Sequence, residues 1–456
     1  MIDKDAVIAQ LLEEIKILRA EITMLKEKIA RLEKNSSNSS KPPSSDIVKP
    51  QKPKPADGQK RTVGGQNGHQ KFTRLPFKQK DISKTIICEL STQQTQGLEV
   101  LDEWRVIQQV RLAEKLFEVF EYRARVYRDR RTGRKFYAPL PDGIESGGLL
   151  AADMTALAAF LKGNCHASYT TIKRFFEQVL RLNISRGMLC KAVGKTSHAL
   201  ESSYNQLLER LPRESNIGID ETGHNNNGDL HWTWCFQTSA YSVFYIDQSR
   251  GSKVLEKILG ENFAGIIGCD YWGAYKKYAR LFGVRMQYCM AHLIRDIRFI
   301  AEQQDPNLAA WAGHLLKWLR KLFKTLHRRS DYLTESFLWR MRQIEEHFLD
   351  VVRHWPQHKI AKKLARRFEG DRADDYFRFI DNPMVEPTNN GTERDVRHTV
   401  IDRRVTQGTR GEAGKHWSQR IWTTIATCKK QGRNVFDFIH QSIVAHWKNK
   451  CYPSFL

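Results

Sequence analysis

The first 34 positions carry an apolar pattern that repeats every seven residues. Isoleucine at heptad position a with leucine at position d predicts a coiled coil and favours a parallel dimer. Opposite charges also face each other across the e and g positions, as with Glu14 and Arg19. We therefore predict that residues 1–34 form a homodimer, because a single helix packed on its own chain would not need so strict a 3.5-residue period. The a and d positions are Ile8, Leu11, Ile15, Leu18, Ile22, Leu25, Ile29 and Leu32.

A polar segment follows, at residues 35–80, and its first part is rich in Ser and Pro. Such a composition cannot bury enough apolar surface to offset the entropy of ordering, so it predicts a linker. Ten Lys or Arg stand against two Asp over these residues. A solvated linker is the plain interpretation. The functional one is a basic tether that also contacts DNA phosphates, with Lys60 and Arg61 as candidates.

Two further patterns separate the linker from the remainder of the chain. Residues 81–146 alternate weakly between apolar and polar positions and contain a turn at Thr132-Gly133, which predicts a small β-rich module. Residues 147–212 have a helical period, with a short break at 181–184 and Ser185 as a plausible N-cap. This outline suits a DNA-binding helix-turn-helix, and a plain helical hairpin fits it equally well.

Residues 213–456 alternate strands with helices. A short strand is predicted to end at Asp220, two strands joined near Ala240 should form a hairpin, and a buried strand should end at Asp270. Helices and strands then alternate until a basic, helical segment at about 300–385, which we interpret as an insertion. The order predicts a ribonuclease-H-like α/β core. The whole chain is expected to be a multidomain α+β protein.

Carboxylates are the candidate catalytic groups in this core. Asp220 and Asp270 should meet if their strands are neighbours, and Glu393 lies on the first turn of a helix predicted from Thr392 to Ile401. Grouped carboxylates suit Mg2+, and a pair of such ions can assist phosphoryl transfer. Glu221 and Glu386 compete for the same role, and no spacing rule removes either. The arginines that follow suit phosphate contacts through their planar donor forks: Arg394, Arg397, Arg403 and Arg404.

Charge and cysteine usage narrow the class of partner. With 74 Lys and Arg against 51 Asp and Glu, the formal charge is +23, which favours a polyanionic partner. The eight cysteines form no Cys-x-x-Cys pair, so we expect a reducing, cytoplasmic location. No signal pattern and no run of 18 apolar residues occurs, and a membrane partner is therefore not expected. Cys289 and His292 have the spacing of half a metal site, but a strand-to-helix corner is the favoured interpretation.

Several motifs together resemble one family. The zipper is followed by NSSNSSKPPSSD, GGQNGH at 64–69, DET at 220–222, SRG at 249–251, CDYWGAY, CMAH at 289–292 and NNGTER at 389–394. In this order they resemble the insertion-sequence transposases of the IS66 family. The resemblance implies a DNA transposase of the bacterial cytoplasm and nucleoid that acts on its element ends and target DNA. It also implies that Asp220, Asp270 and Glu393 bind two Mg2+ ions, which Mn2+ could replace.

One departure and three alternatives accompany this resemblance. Such proteins often carry a cysteine zinc module after GGQ-GH, whereas residues 70–160 contain only Cys88. A nuclease that cuts without joining would use the same carboxylates. A coiled-coil regulator would place its basic helix before the zipper, where this chain has none, and a catalytically dead relative would have lost an acid. Whether accessory proteins of the element take part is left open.

Overall fold

The computed structural model describes residues 11–19, 21–22, 25, 29, 76–87, 106–110, 112–113, 115–144 and 148–456. These residues fall into two compact units, one within residues 51–123 and the other within residues 1–50 and 124–456. The protein is of mixed α/β class, with a two-stranded and a five-stranded sheet. In the described ranges, no helix is both long and apolar enough to cross a membrane.

The described part of the N-terminal heptads is helical. Residues 11–19 form a helix, and residues 21, 22, 25 and 29 are helical as well. The described a and d side chains are all exposed in the single chain, between 44% for Ile15 and 58% for Leu25. Ile8 and Leu32 lie outside the described residues, as do Lys60, Arg61 and the linker up to residue 75. The parallel coiled coil therefore stays a prediction.

Deleting residues 1–34 tests that prediction. We expect the full chain to be at least dimeric in solution and the shortened chain to lose one level of assembly, because an exposed apolar stripe is stabilised by a partner helix. Light scattering coupled to gel filtration measures both masses. A disulfide formed between chains carrying Leu18→Cys would place equivalent d positions together. An unchanged mass after deletion would contradict the dimer.

The β-rich module predicted at 81–146 stays a prediction, because residues 88–105 lie outside the described residues. The described part holds one hairpin, with strands β1 (Val126–Arg128) and β2 (Lys135–Tyr137). Gly133 closes its turn at φ +70°. Residues 84–87 and 106–110 form no strand. Their apolar side chains are largely exposed, 73% for Ile86 and 75% for Val106, and alternation alone does not stabilise a strand that has no buried face.

The remaining elements follow from residue 148 onward. The strands are β3 (Asn216–Asn226), β4 (Asp229–Gln237), β5 (Ser242–Asp247), β6 (Ile266–Cys269) and β7 (Arg285–Tyr288). The helices are α1 (Ala152–Gly163), α2 (Tyr169–Gln178), α3 (Arg186–Ala199), α4 (Glu201–Arg210), α5 (Lys253–Leu259), α6 (Gly273–Phe282), α7 (Met290–Ala301), α8 (Pro306–His327), α9 (Thr334–Arg353), α10 (Lys359–Ala365), α11 (Asp374–Phe377), α12 (Asn390–Thr406), α13 (Glu412–Lys430) and α14 (Val435–Trp447).

Helix α3 of the helical region begins where the sequence predicts. Ser185 caps α3 by accepting a hydrogen bond from the Met188 N–H at 3.1 Å, which satisfies one of the unpaired donors of the first turn. This region also packs on the C-terminal helices, since the buried Arg420 of α13 donates to the Ser197 carbonyl at 3.1 Å. The helices on either side of residue 212 thus share contacts. The domain boundary and the DNA-reading role of α2 and α3 stay predictions.

The five-stranded sheet has the order β5-β4-β3-β6-β7. Strands β3, β4 and β5 are antiparallel neighbours, whereas β3, β6 and β7 run parallel. The hairpin predicted near Ala240 and the adjacency of the Asp220 and Asp270 strands are both confirmed. The buried strand ends at Cys269, immediately before Asp270, as expected.

The prediction that a strand ends at Asp220 is wrong. Strand β3 continues for six more residues, to Asn226, because β4 pairs with it along that whole length. The connection is the pair Asn227-Gly228, both at positive φ, the backbone that two-residue hairpin turns require. What ends near Asp220 is the parallel pairing, whose last partners are Gly218 and Gly268. Asp220 therefore stands where β6 stops covering β3.

The helical insertion leaves the sheet after β7 and contacts that strand again before the insertion ends. Gln287 Nε2 donates to the Tyr376 carbonyl at 2.9 Å, and Arg378 Nε donates to the Met286 carbonyl at 3.0 Å. The helices α8 and α9 of the insertion pack as an antiparallel pair beyond α7. The Met290 N–H donates to the Pro387 carbonyl at 2.9 Å. The Asn389 N–H donates to Cys289 Sγ at 3.1 Å. The chain thus returns to the end of β7 before α12 begins.

Candidate functional site

The three predicted carboxylates come from three elements at one edge of the sheet. Asp220 lies within β3, Asp270 follows β6, and Glu393 lies on the first turn of α12. All three side chains are partly buried. The two aspartates depend on the parallel pairing of β3 with β6, whereas Glu393 depends on how α12 meets the sheet.

Helix α12 is fixed to the sheet by the NNGTER residues. Asn389 Nδ2 donates to the Ile219 carbonyl at 2.9 Å. The Thr392 hydroxyl donates to Gln237 Oε1 at 2.7 Å. Gly218 makes room for this contact, because a Cβ there would lie 2.5 Å from Thr392 Oγ1. Glu393 is the next residue after this contact.

The ionised form of the Asp220 carboxyl is destabilised. The carboxyl lies deep in the fold although part of the side chain reaches solvent, and desolvation raises its pKa well above the ordinary 3.8. The charges of Glu221, Asp270 and Glu393 raise that pKa further. The Glu221 N–H donates to Asp220 Oδ1 at 3.0 Å and acts in the opposite direction. None of the described basic side chains forms an ion pair with Asp220.

The negative charge of Glu393 also acts on Asp270, but positive groups nearby partly offset it. Burial raises the pKa of Asp270, and the charge of Glu393 adds to that increase. The Trp272 N–H donates to Asp270 Oδ1 at 3.0 Å, and this bond lowers the pKa, as do the charges of Arg250 and Lys276. The two aspartates and Glu393 thus interact electrostatically.

Glu221 and Glu386, the alternative candidates for a catalytic acid, have different surroundings. Both oxygens of the Glu221 side chain are engaged, since Arg250 Nε donates to Oε1 at 2.9 Å and the Tyr275 hydroxyl donates to Oε2. Desolvation, with Asp270 next, raises the pKa of Glu221 to about 6 despite these bonds. Glu386 is exposed. Glu221 therefore acts as the partner of Arg250, whereas Glu386 lies on the surface.

Arg250 is a residue beside these carboxylates that the sequence did not single out. Its guanidinium lies 4.4 Å from the ring centroid of Trp232 and 4.2 Å from that of Trp272. The two rings and the Glu221 carboxylate together hold it in one orientation. The only signal in the sequence was its place in the SRG motif, because neither tryptophan is near it in the chain.

Cys289 and His292 lie at the corner between β7 and α7. Cys289 is buried and its sulfur accepts the Asn389 N–H, so it belongs to the corner between β7 and α7. His292 Nε2 lies 3.7 Å from Glu393 Oε1. Desolvation, with Arg295 next, lowers the pKa of His292 to about 4, so that its imidazole is neutral at pH 7. The favoured interpretation of a strand-to-helix corner is confirmed.

The predicted phosphate-binding arginines of α12 divide into two groups. Arg394, Arg397 and Arg404 are exposed, and at 100° per residue they lie within about 80° of arc. Glu393 falls beside that arc, so the exposed arginines share its side of the helix. Arg403 is partly buried and donates from Nη1 to the Thr222 hydroxyl at 3.3 Å.

A cleft adjoins the carboxylates without containing them. It has a volume of about 540 Å³ and lies along the β3–β4 hairpin, with Glu221, Gly223, Trp232, Arg250 and Arg403 among its walls. Across the described part of the chain, no three His, Cys, Asp or Glu side chains lie close enough together to hold a metal ion as they stand. The charges of Asp270 and Glu393 raise the pKa of Asp220, and carboxylate oxygens are the ligands that a hard divalent cation prefers. Glu393 also lies 3.9 Å from Arg295 Nη2.

Fold and site define an α/β protein with a carboxylate cluster at the edge of a mixed sheet. Residues 147–416 match the family described as Transposase IS66 family. That is more than half of the 456 residues, and the chain belongs to this family.

Residues 3–75 match a family of unknown function (DUF6444). The chain is also 22% identical over 294 residues to "Uncharacterized protein y4qI" of Sinorhizobium fredii (strain NBRC 101917 / NGR234), covering 58% of this chain and 53% of that protein. The chain thus spans about half the length of that relative.

Proposed function

We propose that this chain is a DNA transposase that cleaves and joins DNA strands through a ribonuclease-H-like core, with Asp220, Asp270 and Glu393 as its catalytic acids. The observation that carries the proposal is the electrostatic coupling of these carboxylates beside an α12 face that carries three exposed arginines. Membership in a transposase family and the +23 charge support DNA as the substrate.

The three acids would hold two Mg2+ ions. Their fit to such ions rests on Asp220, whose ionised form is opposed by burial and by three neighbouring acids. When bound, the ions neutralise charge on the phosphate and activate the attacking oxygen. In this proposal water is the first nucleophile and the freed 3′-hydroxyl of the element is the second.

The protein's own residues supply position and charge. The contact of Asn389 and Thr392 with β3 and β4 fixes Glu393 relative to Asp220. Arg250 holds Glu221 away from a ligand role by occupying its carboxylate. The exposed arginines Arg394 and Arg397 neutralise phosphates next to the scissile bond, where planar guanidinium groups bind two oxygens at once.

Incubation with element-end DNA tests this function. We expect nicked and joined products with Mg2+, similar products with Mn2+, and binding without reaction with Ca2+, whose looser coordination does not support the transfer geometry. Denaturing gels resolve the two kinds of product. Nicked DNA without any joined DNA would instead indicate a nuclease, and no reaction with any cation would contradict the proposal.

A further inference from the structure

The cleft beside the carboxylates owes its space to one glycine. Gly223 on β3 pairs directly with Trp232 on β4, and side chains at such paired positions lie on the same face of a sheet about 5 Å apart. Because Gly223 has no side chain, one flank of Trp232 is open to the cleft. A Cβ at Gly223 would meet nothing closer than Leu230 Cδ1 at 3.9 Å and Arg403 Nη1 at 4.0 Å.

The cleft has a planar wall and a positive charge. Trp232 and the guanidinium of Arg250 stack on each other, and both line the cavity. The charge of Arg250 is balanced by Glu221, whereas Arg403 donates to the Thr222 hydroxyl and forms no ion pair with any described carboxylate. His224, also in the wall, adds no charge, since burial, with Arg403 next, lowers its pKa to about 4. The cleft therefore suits a ligand with a flat ring and a negative group.

The position of the cleft identifies the ligand. Glu221 lines the cleft and directly follows Asp220 in β3. The Trp272 ring stacks on the other side of Arg250, and the backbone N–H of Trp272 donates to Asp270 Oδ1. A strand lying across the carboxylates would continue into this cleft. Paired bases have both faces covered, so only an unpaired base can lie against the planar wall.

We propose that the cleft binds one unpaired nucleotide next to the scissile phosphate, with its base beside Trp232 and Arg250 and its phosphate at Arg403. The inference rests on the proposed function, since it takes the DNA to be bound at the carboxylates. It names the substrate more closely as a DNA end whose terminal base pair is open. The cost of opening that pair is offset by stacking in the cleft.

Binding to two DNA probes without divalent cations tests the proposal. One probe is a blunt duplex, and the other is the same duplex with unpaired nucleotides at one end. Fluorescence anisotropy with the full chain gives both Kd values. We expect the open-ended probe to bind about tenfold more tightly, as a stacked base contributes that much in proteins that bind single strands.

Filling the cleft should remove that difference. Gly223→Val adds a side chain that strands favour, at a position where the backbone has room, so the open-ended probe should bind no better than the blunt one. Trp232→Leu should lose the difference as well, whereas Trp232→Phe, which keeps a ring, should retain it. The exposed Glu386→Gln serves as the control and should keep the tenfold ratio. Circular dichroism checks that each variant is folded.

The possible results distinguish a failure of the cleft proposal from a failure of the transposase proposal. Equal affinity of the wild type for both probes, or a tenfold ratio retained by both Gly223→Val and Trp232→Leu, would overturn the cleft proposal. Mg2+-dependent cleavage of the blunt probe in that case would leave the transposase proposal standing. A tenfold ratio that disappears with Gly223→Val supports the cleft, and it does so even if neither probe is cleaved.

Discussion

Asp220→Asn, Asp270→Asn and Glu393→Gln should each lose DNA cleavage and joining by on the order of a thousandfold or more, because each removes a charged oxygen from the proposed ion-binding cluster. The amides preserve side-chain volume, so folding and DNA binding should persist. Single-turnover assays on element-end DNA measure the loss. The matched control is Glu386→Gln, which changes the same group at an exposed site and should retain activity. Activity in Glu393→Gln together with loss in Glu386→Gln would show that the third acid is misassigned.

Thermal stability gives an independent measure of the same cluster. The pKa of Asp220 is raised in the folded protein, so the folded state binds its proton more tightly than the unfolded state does. Its ionisation therefore costs folding free energy, and that cost grows as the pH rises above the ordinary 3.8. Asp220→Asn should melt at a higher temperature than the wild type at pH 7 without divalent cations. Mg2+ should raise the melting temperature of the wild type and have little effect on the variant. A lower melting temperature for Asp220→Asn would mean that its carboxylate is balanced by a partner.

Gly218→Ala should reduce cleavage at least tenfold and lower stability by about 1–3 kcal/mol. The new methyl group would lie 2.5 Å from Thr392 Oγ1, so α12 must move away from β3 and take Glu393 with it. Small displacements of a catalytic group cost large factors in rate. Chemical denaturation and single-turnover cleavage measure the two effects.

Two further variants show whether the cause is the contact with Thr392. Gly194 in α3 has open space around its Cβ position, so Gly194→Ala should be neutral or slightly stabilising. Adding Thr392→Ala to Gly218→Ala removes the colliding oxygen and should recover part of the stability. If the double variant were no more stable than Gly218→Ala, then the close approach of α12 would not explain the loss.

The sequence predicted the five strands of the core from their apolar runs, and the adjacency of the Asp220 and Asp270 strands from their order. It misjudged the length of β3, because the polar run from Glu221 to Asn226 suggests a loop. That run is held as strand by pairing with β4, and the Asn227-Gly228 turn was the available signal.

Parts of the site could not be predicted from the chain alone. The folded sheet brings together four residues that no local spacing joins: Glu221, Trp232, Arg250 and Trp272. The choice between Glu221 and Asp220 likewise needed tertiary contacts, since the two are adjacent in sequence. Arg250 and Tyr275 bond to the Glu221 carboxylate, whereas no described cation forms an ion pair with Asp220, and this difference supports the proposal of Asp220.

The meeting of Cys289 with Asn389 has a consequence for how this chain can vary. One hydrogen bond of 3.1 Å joins residues that are 100 positions apart, so the segment between them starts and ends at the same edge of the sheet. Grafts and deletions succeed most readily where the two points of attachment are neighbours. Changes of length should therefore be tolerated best in the exposed turn between α8 and α9, because the apolar faces of both helices are part of the buried core.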